Sequence, residues 1–87
     1  MAGYELLIKP SAVKEIERID GKRVRQMVVR QIQDLGADPR PKGCEKLARQ
    51  DRYRLRQSPY RIVYAVDDSQ RIVLIVKVGH RKEVYRK

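Results

Sequence analysis

With 87 residues the chain has room for one modest core and no deep pocket, so a single domain over residues 1–87 with an open, surface site is expected. One cysteine, Cys44, excludes an internal disulfide, and one cysteine with one histidine excludes a zinc tetrad; no metal or other cofactor is expected. The 21 Lys and Arg against 11 Asp and Glu leave a net charge of +10, which favours a polyanionic partner: RNA, DNA or an acidic protein. The longest apolar run, Ile72 to Val76, is too short to span a bilayer and the start lacks the pattern of a signal peptide, so a soluble, cytoplasmic protein without membrane contact is expected.

Residues 4–9 have the length and apolar content of a short strand, and Pro10-Ser11 then marks a helix start. Val13, Ile16 and Ile19 recur at helical spacing, and Asp20-Gly21 breaks the run while offering Asp20 as cap of a second helix. Val24, Met27, Val28, Ile32 and Leu35 form the apolar stripe of that helix, and Gly36 is its stop. Its opposite face, with Lys22, Arg23, Arg25 and Arg30, reads as a solvated surface that could also meet nucleic-acid phosphates. Two prolines and a glycine in residues 37–43 predict a surface loop, and Cys44 at its exit has no partner for nucleophilic catalysis.

From Arg52 the pattern turns to period two in three segments rich in β-branched and aromatic residues, YRLRQ, YRIVYAV and RIVLIVKVG. The order predicts an α+β domain, β-α-α-β-β-β, whose mainly antiparallel twisted sheet packs on two N-terminal helices. An even loop at Ser58-Pro59 sets Arg56 opposite Arg61, Leu55 opposite Ile62 and Tyr53 opposite Tyr64. A three-residue loop at residues 68–70 sets Val66 opposite Ile72, Tyr64 opposite Leu74 and Ile62 opposite Val76. Tyr53, Tyr60 and Tyr64 then fall on the core face. Arg52, Arg54, Arg56, Arg61 and Lys77 share the other face with Val63, Ala65, Val73 and Ile75, and Arg81 joins them if alternation continues. No carboxylate is predicted there. Such a cluster repels itself unless an anion compensates, and phosphate suits planar bidentate guanidinium groups.

Three stretches carry a family likeness: Lys46-Leu47, YRLRQSPYRIVYAV from Tyr53 to Val66, and VGHRKEVY from Val78 to Tyr85. The chain resembles the RelE branch of the RelE/ParE toxin superfamily. The resemblance implies this same fold and a toxin that cleaves messenger RNA in the ribosomal A site, against ribosomal RNA, inhibiting translation until a cognate antitoxin neutralises it. It also implies catalytic places, held here by Arg52, Arg54, Arg61, Arg81 and Tyr85, while Arg56, Lys77, Lys82 and Lys46 are expected to hold RNA. Arginines replace lysines common at two of these places, Pro59 stands where glycine is common, and Arg81 and Tyr85 are closer together than usual.

Without a metal, such cleavage uses the substrate's own 2′-hydroxyl as nucleophile, so the protein must remove one proton, hold the phosphorane and protonate the leaving 5′-oxygen. Arg61 and Arg56 suit phosphate clamping, Arg81 suits the leaving oxygen, and Tyr85 suits stacking on a base or orienting the 2′-hydroxyl. The base is the gap: His80 is the one side chain of near-neutral reference pKa, and its parity is opposite to that of Arg81. The alternatives are a ParE-like inhibitor of DNA gyrase without nuclease activity, and a basic RNA-binding module without catalysis.

Overall fold

The computed structural model describes residues 3–47, 52–57 and 59–80, in the order β1 (Glu5–Ile8), α1 (Pro10–Glu17), α2 (Lys22–Leu35), β2 (Glu45–Lys46), β3 (Arg52–Gln57), β4 (Tyr60–Asp67) and β5 (Ile72–His80). The five strands form one sheet of order β1-β5-β4-β3-β2, with β1 parallel to β5 and every other pair antiparallel. This is the expected α+β plan with one addition, the two-residue β2, which is too short to show periodicity in sequence. None of the described helices is long and apolar enough to cross a membrane.

Pro10 opens α1 because its ring fixes the φ a first helical residue needs, after Lys9 in extended conformation. Ala12, Ile16 and Ile19 face the core, whereas Val13 stays 38% exposed, so the inward stripe starts one residue earlier than the apolar spacing suggests. Asp20 does not cap α2. Gly21 holds the cap position at φ +102°, which favours glycine, and Arg25 N–H donates to its carbonyl at 3.0 Å. Val28, Ile32 and Leu35 are buried as expected, but Met27, at the margin of the stripe, is 46% exposed. Gly36 ends α2 in right-handed conformation, and its carbonyl accepts from Tyr4 N–H, tying the helix end to the start of β1.

Both helices cover one face of the sheet, where Ala12, Ile19, Val28, Ile32 and Leu35 meet Tyr53, Leu55, Ile62, Tyr64, Val66, Val73, Ile75 and Val78. The β3–β4 register is the expected one: Tyr53 opposite Tyr64, Leu55 opposite Ile62, Arg56 opposite Arg61. The β4–β5 register differs. Asp67 Oδ1 accepts from Ser69 Oγ and Gln70 N–H, and Arg71 takes φ +58°, lengthening the loop to residues 68–71. Val66 therefore pairs with Val73 and Tyr64 with Ile75, so Val73 and Ile75 belong to the core, not to the arginine face. A register shift between Val63 and Tyr64 then skips Val76, pairing Val63 with Lys77 and Ile62 with Val78. The two one-residue shifts add up to two, which restores the alternation, and Lys77 returns to the side first expected.

The 37–43 loop is pinned at three points. Tyr64 Oη, fully buried, donates to Pro39 O at 2.7 Å; Arg40 forms a double hydrogen bond to Asp68 at 2.8 and 3.2 Å; and Arg40 Nε donates to Tyr53 Oη at 3.0 Å. Tyr4 Oη also donates to Asp68 at 2.7 Å. These bonds fix where β2 begins.

The register makes Ile75→Ala cost about 2–5 kcal/mol of unfolding free energy and Leu74→Ala about 1 kcal/mol or less, by urea denaturation; the reverse order would contradict the pairing. Hydrogen bonds from Arg40, then Tyr4, hold the Asp68 carboxyl below its usual range. A depressed folded pKa gives stability that is complete above the unfolded value, about 3.9, and is lost as pH falls through the folded one. Asp68→Asn should therefore lower Tm at pH 6 and converge on the parent protein as pH drops below about 4.

Candidate functional site

Strand alternation places arginines on the sheet face away from the helices. Arg52 lies opposite Ala65, Arg54 opposite Val63, and Arg56 opposite Arg61, with Lys77 and Gly79 on β5 completing the last two rows. The β3–β4 connection spans only residues 58–59, so Arg56 and Arg61 are cross-strand neighbours, a repulsive arrangement without an anion.

Arg61 is the buried member of the cluster, 7% exposed. Its Nη1 donates to Tyr60 O at 3.2 Å, while Nε is buried with no hydrogen-bond partner, and no carboxylate pairs with it among the described residues. A buried guanidinium with an orphan donor is costly unless something anionic completes it. The residue opposite, Gly79, adds no side chain to that flank.

A carboxylate does stand on this face, contrary to the sequence expectation. β2 pairs with β3 so that Glu45 is opposite Arg54, which donates to Glu45 Oε1 from Nε at 3.1 Å and from Nη2 at 2.5 Å. Arg56 Nη2 lies 4.0 Å from Glu45 Oε2. The hydrogen bonds from Arg54 and the fields of Arg54, Arg56 and Arg61 hold the Glu45 carboxyl below its usual range. Glu45 escaped the sequence reading because a two-residue strand has no period, and only its pairing reveals its side of the sheet.

The other expected residues divide. Arg52, Arg54, Arg56 and Arg61 are brought together, and Lys77 shares their side, with its Nζ 3.1 Å from Glu15 Oε2 on α1. Glu15 Oε1 also accepts from Val78 N–H at 2.8 Å, closing the β5 edge beyond the end of β1. Lys46 pairs with Tyr53 and so lies on the opposite side from Arg54. His80 pairs with Tyr60 on the core side, their rings edge to face at 5.8 Å, at a groove shared with Glu15, Arg18, Val78 and Gly79. Arg81, Lys82 and Tyr85 lie outside the described residues. Among the described residues no three His, Cys, Asp or Glu side chains converge to hold a metal.

Residues 6–85 match the family described as the ParE toxin of type II toxin-antitoxin system, parDE. A protein of Escherichia coli described as a RelE-like toxin is 30% identical over 81 residues, covering 91% of this chain and 84% of that protein. The fold is similar to a double arginine-to-alanine mutant of the Escherichia coli toxin RelE in the free state, with TM-score 0.75, 32% identity, and 97% and 92% of the two chains covered. It is also similar to a chain of the RelBE2 toxin-antitoxin complex of Mycobacterium tuberculosis, with TM-score 0.78, 25% identity, and 92% and 100% covered. With nearly the whole chain matched in sequence and in fold, the protein belongs to the RelE/ParE family of toxins of type II toxin-antitoxin systems.

Proposed function

We propose that this toxin is a ribosome-dependent endoribonuclease that lays messenger RNA across the arginine face and cleaves it by attack of a 2′-hydroxyl on the adjacent phosphate. The observation that carries this reading is Arg61, a buried guanidinium whose Nε has no partner among the described residues and whose neighbours across the strand are Arg56 and Gly79. A phosphate oxygen is the ligand that such a group accepts best, and the same donors stabilise the charge of a phosphorane.

Glu45 fills the missing role of base. In the free protein it is masked by Arg54 and Arg56; a phosphate that engages these two guanidinium groups releases the carboxylate beside the scissile position. The 2′-hydroxyl proton passes to Glu45, the new P–O2′ bond forms, the P–O5′ bond breaks, and the 5′-oxygen takes a proton. By family resemblance that last proton and the stacking of a base fall to Arg81 and Tyr85. Even a released carboxylate is a weak base at neutral pH, so alignment of the RNA by the ribosome supplies much of the rate. A cognate antitoxin, such as the one bound to the Mycobacterium tuberculosis relative, would present carboxylates to the same cluster.

Induced expression with mapping of transcript 5′ ends should reveal codon-phased cuts that Arg61→Ala reduces by at least about a hundredfold. Intact transcripts with gyrase-linked DNA damage would instead select the gyrase inhibitor. On purified programmed ribosomes, Glu45→Gln should slow single-turnover cleavage by about 10²–10⁴-fold while RNA binding persists. Because Glu45 is deprotonated throughout, the parent rate should be flat from pH 5.5 to 8. A pH-dependent rate that His80→Gln makes flat would transfer the role to His80.

A further inference from the structure

The outward face of α2 carries charge that the sheet site does not use. Between Asp20 and Asp34 the chain has no acidic residue, and the exposed line along the helix is Arg23, Gln26, Arg30 and Gln33, flanked by Lys22, by the exposed Met27 and, at its C-terminal end, by the exposed Asp34. Lys22, Arg23 and Arg30 have no carboxylate partner among the described residues. Arg25 is different: it is partly buried, and its Nη1 lies 3.4 Å from Ile19 O. Lys22 and Arg23 sit in the first turn, where positive charge works against the helix dipole, and no acidic residue there offsets them. Helix formation therefore does not explain this pattern. Neither does packing, since Val24, Val28, Ile32 and Leu35 on the other side bury the helix.

The chemistry of the line is specific. Arg23 and Arg30 are seven residues apart, two turns and about 10 Å along the axis, and project from one stripe. Gln26 and Gln33 alternate with them, each bringing an amide that both donates and accepts. Double-helical RNA offers a matching surface, phosphates for guanidinium groups and 2′-hydroxyls, also donor and acceptor, for amides, displayed across its wide minor groove. A shallow groove lined by Arg23, Gln26, Met27, Arg30 and Gln33 runs along this face. The helices lie on one side of the sheet and the arginine cluster on the other, so the two basic surfaces point in different directions.

We propose that the α2 face is a second RNA surface that takes the backbone of a structured RNA duplex, separate from the sheet face and its arginine cluster. This deepens the proposed function by naming what orients the toxin on the ribosome, and duplex binding is measurable without any cleavage.

The test is binding of a 16-base-pair RNA duplex and a single-stranded RNA of equal length, by fluorescence anisotropy over a range of salt. Arg23→Gln/Arg30→Gln should weaken duplex binding by about tenfold to a hundredfold and lower the salt slope by about two, with single-strand binding changed less than threefold. Gln26→Ala/Gln33→Ala should narrow the preference for the RNA duplex over a DNA duplex of the same sequence. Arg61→Ala should leave duplex binding in place. An unchanged duplex affinity and salt slope in the arginine variant overturns the proposal, as does an equal loss on duplex and single strand. If the parent protein leaves ribosome-bound messenger RNA intact yet binds duplex through Arg23 and Arg30, the nuclease reading falls and this one stands. Thermal melts of all variants exclude unfolding as the cause of any loss.

Discussion

The pairing of β3 with β4 is the constraint on which the rest depends. One register sets Tyr53 against Tyr64 and Leu55 against Ile62 beneath the helices, and Arg56 against Arg61 on the opposite face. Because alternate residues point to opposite sides, the apolar gain that fixes the core also fixes the position of the guanidinium groups. A slip by one residue would put the arginines into the core and is excluded energetically. The repulsion between Arg56 and Arg61 is therefore held in place by hydrophobic burial on the other side of the same strands.

That arrangement leaves the outer face with positive charge the protein only partly balances. Glu45 answers Arg54 and approaches Arg56, while Arg61 keeps a buried Nε without a partner among the described residues. The position of Glu45 is in turn set from a distance. Tyr64 holds Pro39, Arg40 joins Asp68 to Tyr53, and the loop so fixed delivers β2 to the edge of β3. Core tyrosines thus have a second duty: through their hydroxyls they locate the carboxylate that faces the arginine cluster. Under the proposed function, RNA and antitoxin would compete for this one cluster.

The β4–β5 hairpin shows how two local irregularities combine. The Asp67 turn, with Arg71 in left-handed conformation, turns Val73 and Ile75 inward, and the skipped Val76 restores Lys77 and Gly79 to the outer side. Glu15 then completes the exposed β5 edge by accepting from Val78 N–H. A regular hairpin could not both bury Val73 and Ile75 and keep Gly79 beside Arg61. The bulge is part of how the site is shaped.

Much was legible in the residues themselves. Pro10 and the apolar spacing marked the helices, and period-two alternation put Arg52, Arg54, Arg56 and Arg61 on one face, since these signals are local and repeat over several residues. What only the tertiary structure decided has no local period. Asp20 gave way to Gly21 as the cap because a backbone angle, not a side chain, sets the entry to α2. The turn and bulge of β4–β5 moved Val73 and Ile75 into the core through hydrogen bonds and strand pairing rather than residue type. Glu45 joined the arginine face, and Lys46 left it, because a two-residue strand acquires sides only when it finds a neighbour. The sequence by itself thus determined which strands carry the guanidinium groups; long-range pairing decided which carboxylate meets them and which guanidinium, Arg61, keeps a buried Nε without a partner among the described residues.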